Sequence, residues 1–277
     1  MAHNNAVSSE IYAEGNFISN KKPKDTGNVV SIFKFDVPSA PKVDADGDYE
    51  LQRKPRKKED EYQEVDIEHS TRTSLHLVGL QIWRGALLLA DWLIYNSKKF
   101  EENCKIMELG SGVGLTSIVA SMFKPVLCTD IAEGGILTLI QNNVERNKNL
   151  TKHPILVLEL NFFQEKFTPD LLKSLPGVKI ILAADVIYDN EITFAFVNTM
   201  QKLLKLCSDS IIYVALEKRY VFVLSECDTC APCYEYFLEC VQQCPDIESE
   251  QIPLDFPQYF LYERVKELVM WRIMLKK

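Results

Sequence analysis

The sequence lacks an uninterrupted apolar run of about 18 or more residues, the length a membrane-spanning helix requires. The best candidate, Leu75 to Tyr95, is broken by His76, Gln81, Arg84 and Asp91. A basic surplus is lacking too: 31 lysines and arginines stand against 39 aspartates and glutamates, a formal net charge of −8. That balance argues against general nucleic-acid binding and leans toward a basic partner or plain solubility. The opening stretch MAHNNAVSSE has neither the charged nor the apolar region of a secretory signal, so an intracellular protein is expected. There are no internal repeats. With 277 residues, the chain can bury one substantial core and carry a tail.

A complete metal-ligand pattern is missing as well. Of eight cysteines, Cys104, Cys128 and Cys207 lie in or beside apolar runs and read as buried thiols. Cys227, Cys230, Cys233, Cys240 and Cys244 cluster, but no CxxC pair recurs at ribbon spacing and no histidine follows. Helical periodicity through Tyr234, Phe237, Leu238 and Val241 would spread those thiols around a cylinder. Reduced structural cysteines are the better expectation than zinc.

What is present has a regular rhythm. Residues 1 to about 30 are polar and read as disordered or loosely held, and Val29–Phe35 alternates as a strand does. Residues 1–63 form an N-terminal extension; within it the hexamer Arg53-Lys-Pro-Arg-Lys-Lys58 reads equally as a nuclear-import signal or a solvated basic run. A single domain is expected over 64–277. Strands are expected at 73–78, 105–109, 126–130, 155–160, 179–185 and 210–216, with helices at 81–95, 115–123, 135–147, 191–207 and 228–243. Residues 259–277 read as two strands around a turn near Val265. Such alternation predicts an α/β fold, a parallel sheet with helices on both faces and an antiparallel edge from the last strand pair.

The segment IMELGSGVGLTS, residues 106–117, joins a buried strand to a helix. Gly110, Gly112 and Gly114 allow a sharp turn and close approach of backbone to a ligand at the strand ends. Asp130 ends the next strand about twenty residues on, where a carboxylate accepts hydrogen bonds from ribose hydroxyls. A nucleoside cofactor is therefore expected. The spacing is GxGxG rather than the dinucleotide GxGxxG, and Glu108 sits two residues before the first glycine.

The pattern E-x-G-x-G-x-G resembles motif I of the seven-strand, Rossmann-like methyltransferases that use S-adenosyl-L-methionine. QIWRGALLLA from Gln81, the glycine loop, Cys128-Thr-Asp130, Glu159-Leu-Asn-Phe162 and Ala183-Ala-Asp-Val-Ile-Tyr188 occur in one order. Together they are similar to methyltransferase family 16, the protein-lysine methyltransferases, from about residue 64 to the end. The resemblance implies that Trp83 closes over the cofactor, that Gly110, Ser111 and Gly112 line its methionine part beside Glu108, and that Asp130 binds its ribose. Phe162 stands where the family usually has tryptophan beside the adenine, and Ala184 contacts the cofactor. Asp185 and Tyr188 match the family's D-x-x-Y motif and would bind and orient the lysine amine. Asn161 often has an acidic counterpart in relatives. No metal is required.

Each of these residues has a plainer reading. Trp83 and Phe162 suit an ordinary core, Asp130 and Asp185 suit turns at strand ends, and Tyr188 suits a rim. Their joint placement on one α/β sheet favours a site. Fold does not choose the acceptor: small-molecule and nucleic-acid methyltransferases share it, although the N-P-P-[YF] motif of amino-group methylation is replaced here by DVIY. A non-catalytic cofactor-binding scaffold is the other alternative. The resemblance further implies a protein client, the winged-helix, zinc-finger nucleic-acid-binding protein Kin, with a nuclear and additionally cytoplasmic location. A monomer without direct nucleic-acid or membrane binding is expected.

Overall fold

The computed structural model describes residues 6–36, 62–223 and 228–276. The basic hexamer at 53–58 and Cys227 lie outside the described residues. The elements are α1 (Ile11–Glu14), β1 (Val29–Phe35), β2 (Gln63–His69), α2 (Arg84–Asn96), β3 (Lys105–Leu109), α3 (Leu115–Ala120), β4 (Val126–Asp130) and α4 (Ile136–Arg146). There follow β5 (Ile155–Glu159), α5 (Pro169–Ser174), β6 (Val178–Ala184), α6 (Asn190–Leu206), β7 (Ile211–Glu217), β8 (Val221–Val223), β9 (Asp228–Cys230), α7 (Pro232–Gln242), β10 (Ile247–Ile252) and β11 (Leu268–Leu275).

Seven strands form one sheet in the order β10-β11-β7-β6-β3-β4-β5. β7, β6, β3, β4 and β5 pair in parallel, and β11 runs antiparallel to both neighbours. The central strands are near-continuous apolar runs because both faces are covered. One face packs α2, α3, α4 and the β1–β2 pair, through Leu87, Ile118, Leu139 and Val65. The other packs α5, α6 and α7, through Leu171, Phe196 and Phe237. This is the expected seven-stranded α/β architecture. Chain order reverses between β3 and β6, which puts a crevice at their carboxyl ends.

Several local expectations need correction. The strand expected at 73–78 is instead a 3-10 run at Leu75–Leu80; among the described residues it pairs with no strand, and Thr73 alone bridges to Val7. The helix expected from Asp228 starts at Pro232, a residue suited to a first helical turn. In the final strand pair the first member is β10: the N–H groups of Tyr259 and Phe260 donate to the Asp91 carboxylate, and Phe260 makes only a single bridge, to Phe35. Residues 6–36 are packed rather than loose: Ile11, Phe33 and Phe35 are fully buried, and β1 pairs with β2 along its length.

The stretch Leu75–Lys99 is long and apolar enough to cross a membrane by length and composition, yet 72% of its most apolar window is buried inside the fold. Its two buried charges are paired: Asp91 meets Arg264 at 2.7 Å, and Arg84 meets Glu14 and Glu217. The thiols of Cys240 and Cys244 are buried on α7 and just beyond it, and no group of three metal-ligating side chains is gathered among the described residues.

Candidate active site

The carboxyl ends of β3, β4 and β6 open onto a cavity of about 260 Å³. Its floor is the turn after β3. Gly110 and Gly112 adopt φ of 65° and 56°, a region that disfavours side chains. A Cβ on Gly110 would fall 2.7 Å from Val186 Cγ1, and one on Gly112 would fall 2.8 Å from the Gly79 carbonyl oxygen. Ser111 fixes the turn to β4: its hydroxyl donates to the Thr129 carbonyl at 2.9 Å and accepts the Thr129 N–H at 3.1 Å. The Ser111 hydroxyl is thus committed to the scaffold, and the backbone of the turn lines the cavity.

Two carboxylates face this floor. Glu108 is 1% exposed and accepts a hydrogen bond from the Ser117 hydroxyl. Burial pushes its pKa up to about 7, and the charge of Asp130 acts in the same direction. Asp130 is held by the Gly112 and Ile131 N–H groups, both at 2.7 Å, while burial pushes it up to about 6. A second pair of negative charges, as on a pyrophosphate, would be repelled here. Ile131, Leu160 and Phe162 supply an apolar wall. The Phe162 ring packs against Phe196 with centroids 5.4 Å apart. Asn161 also lines the cavity, but its side-chain oxygen accepts the Phe163 N–H at 3.0 Å and shapes the turn.

Ala184, the last residue of β6, and Asp185 just after it face the same cavity. Asp185 is the one non-glycine among the described residues with positive φ, 51°, and its N–H donates to the Ala215 carbonyl. Its side chain does a job that local sequence does not reveal. Trp83 occupies the N-cap position of α2 and has no capping side chain. Asp185 reaches across 100 positions to accept the Gly85 N–H at 2.6 Å, capping α2 and placing a negative charge at the positive end of its dipole. Its other oxygen accepts the Glu217 N–H at 2.9 Å. Gly85 has to be a glycine, since a Cβ there would lie 2.5 Å from Asp185 Oδ2. Burial raises the Asp185 pKa, while the Arg219 charge and the two N–H groups counter it.

Tyr188 lines the cavity too, with its pKa pushed up to about 12 by burial and then by the Asp130 and Asp189 charges. Asp185 and Tyr188 therefore share a cavity while facing different neighbours: the former the start of α2, the latter the Asp130 side. Trp83 forms the corner above Asp185. Its indole N–H donates to the Val78 carbonyl at 2.9 Å, and the Arg219 guanidinium lies 4.6 Å from its ring.

Sequence reasoning missed the roof: His76, Val78, Gly79, Gln81 and Ile82, together with Glu133 at the edge, line the cavity. It also missed Arg84, whose guanidinium joins Glu14 at 2.5 Å and Glu217 through two bonds of 2.9 and 2.8 Å. A signal was there. Gln81 and Arg84 interrupt an apolar run, and buried polar groups of that kind demand partners.

Comparison with known proteins agrees with this geometry. A model of a family described as lysine methyltransferase matches residues 59–228. The chain is 32% identical over 235 residues to methyltransferase-like protein 22 of Mus musculus, covering 76% of this chain and 59% of that protein. With methyltransferase-like protein 22 of Homo sapiens the identity is 31% over 232 residues, covering 76% of this chain and 57% of the other. Protein-lysine N-methyltransferase EEF2KMT of Mus musculus is 28% identical over 227 residues, with 76% and 63% covered. The chain thus spans less than two thirds of the length of these relatives. The matched span holds the whole glycine turn, Asp130 and the D-x-x-Y segment, and on that ground the chain belongs to the lysine methyltransferase family.

Proposed function

We propose that this chain is a protein-lysine N-methyltransferase, moving a methyl group from S-adenosyl-L-methionine to a lysine side chain of a protein client. The carrying observation is one cavity holding the glycine turn, Glu108, Asp130, Asp185 and Tyr188 in a chain of this family. The donor set suits that cofactor. Two buried carboxylates suit a cationic sulfonium and a ribose diol, and the wall of Ile131, Leu160 and Phe162 suits an adenine ring. When bound, S-adenosylmethionine supplies an electrophilic methyl group on a positively charged sulfur.

The residues of the chain have the remaining tasks. Asp130 accepts ribose hydroxyls on the lone pairs that Gly112 and Ile131 leave unused. Glu108 contributes negative charge beneath the methionine part. A free lysine has a pKa of about 10.4 and must give its proton to solvent before its lone pair can attack. Asp185 draws the arriving ammonium toward the corner under Trp83, and a site that already holds a positive sulfur favours the neutral amine. Tyr188 keeps its proton at neutral pH and orients the amine. Positioning for in-line attack supplies the rate.

One observation favours a second reading, the non-catalytic scaffold: both oxygens of Asp185 already accept backbone N–H groups. Calorimetry with S-adenosylmethionine, then methyl transfer into a lysate treated with protease or nuclease, separates the two. Protease-sensitive labelling supports the enzyme, nuclease-sensitive labelling a nucleic-acid substrate, and binding without labelling the scaffold. Asp185→Asn and Tyr188→Phe should depress turnover more than cofactor binding. The proposed client is the basic nucleic-acid-binding protein Kin, met in the nucleus by a monomer. Mass spectrometry of that client with and without the active chain tests this part.

A further inference from the structure

We infer that residues 7–14, remote in sequence from every motif above, belong to the cofactor site because they hold its roof in place; the inference rests on the cofactor reading of the cavity. The roof residues Val78, Gly79, Gln81, Ile82 and Trp83 face the cavity but belong to no strand, and Gln81, Ile82 and Trp83 lie between the 3-10 run and α2. Gln81 and Ile82 take their partners from the N-terminal segment, and Trp83 is reached through Arg219. Gln81 is 2% exposed and gripped at both ends: its side-chain oxygen accepts the Ser9 N–H at 2.9 Å, and its NH2 group donates to the Val7 carbonyl at 3.0 Å and the Thr73 hydroxyl at 2.7 Å. Val7 and Thr73 exchange two backbone hydrogen bonds, of 2.7 and 3.0 Å.

The next positions are held in the same way. The Tyr12 hydroxyl accepts the Ile82 N–H at 2.9 Å, and its ring stacks on His69 with centroids 5.0 Å apart. Glu10 pairs with Arg219 at 3.1 Å, and Arg219 covers the Trp83 ring. Glu14 pairs with Arg84. Each residue from Gln81 to Arg84 is therefore held by the segment 7–14, directly or through Arg219. None of residues 7–14 lines the cavity, so the segment positions the site without touching a ligand. A ligand that needs the roof closed binds in proportion to the fraction of molecules with the roof closed.

The test uses two variants, one lacking residues 1–9 and the other Tyr12→Phe, which keeps the ring on His69 but loses the acceptor for Ile82 and the donor to the Ser70 carbonyl. Hydrogen exchange without ligand should quicken at amides 78–84 and stay unchanged at 106–130. The dissociation constant for S-adenosylmethionine should rise about tenfold in the shortened chain and about threefold in Tyr12→Phe. The cofactor KM should rise accordingly, with kcat at saturating cofactor kept within about twofold. Should the shortened chain not fold, Tyr12→Phe decides alone. Unchanged affinity in the variants, or a kcat that saturating cofactor does not restore, overturns the inference while leaving the cofactor reading intact. An unaltered chain that does not bind S-adenosylmethionine overturns both.

Discussion

The floor and the roof of the cavity are built in opposite ways. The floor comes from one continuous stretch, β3 to β4, in which Ser111 bonds to Thr129 only 18 positions away. The roof is fastened by bonds that span 70 positions or more, from Ser9, Val7 and Tyr12 to Gln81 and Ile82. The floor owes its shape to glycine conformations and to a fully buried strand, so it is rigid wherever the sheet exists. The roof owes its shape to side chains meeting across the fold, so it depends on packing far from the ligand.

The largest expected effect is on the roof side. Arg84→Ala would leave Glu14 and Glu217 without their partner, each at most 13% exposed, and should cost about 3–5 kcal/mol in denaturant unfolding. A loss within error would show the buttress to be idle. Gly112→Ala strikes where the two halves touch, since its Cβ would press on the Gly79 carbonyl. The positive φ alone should cost about 1–3 kcal/mol of stability, read in denaturant unfolding, and displacement of the roof by the added Cβ should weaken cofactor binding in calorimetry. If binding were untouched, the contact between floor and roof would not matter to the ligand.

The next effect belongs to the floor and depends on pH. Glu108 and Asp130 are raised from the ordinary carboxylate range to about 7 and about 6. Between those limits the native chain binds more protons than the unfolded one, so ligand-free stability should fall as pH rises from about 4 to 7. Affinity for a cationic cofactor should move the other way. It should strengthen over the same window by at most about tenfold per pH unit for each proton released. Titrations across that range check this, and Glu108→Gln should flatten the upper part of the profile. The smallest effect is expected at Phe162→Trp, which keeps an aromatic wall and should change affinity by less than about 1 kcal/mol.

The same division explains what could be read from the sequence. β3, β4, β6 and β7 are continuous apolar runs because both faces are covered, and they show as such. The glycine turn is legible because only glycine tolerates its backbone, and Asp130 because it ends a buried strand. The roof is split between a strand expected at 73–78 and the first turn of a helix expected at 81–95, which in fact starts at Arg84, while its true partners are scattered through a segment that reads as a polar tail. Glu10, Tyr12 and Glu14 look like solvated residues until Arg219, Ile82 and Arg84 are placed beside them. β10, with sequence IESEQI, escaped notice because an exposed sheet edge tolerates and uses charged residues. The capping of α2 by Asp185 pairs residues 100 positions apart, which no periodicity encodes.

The Glu14 carboxylate has one more partner, the N–H of Glu263 at 2.6 Å. Through this one side chain, α1 near the beginning of the sequence, the first turn of α2 and a loop just before β11 are tied into a single knot beside the roof. A growing polypeptide can thus form its glycine turn early, but it cannot fasten the knot until residue 263 has been made. Full affinity for a ligand should therefore be reached only after the loop before β11 has packed, with weaker binding available earlier.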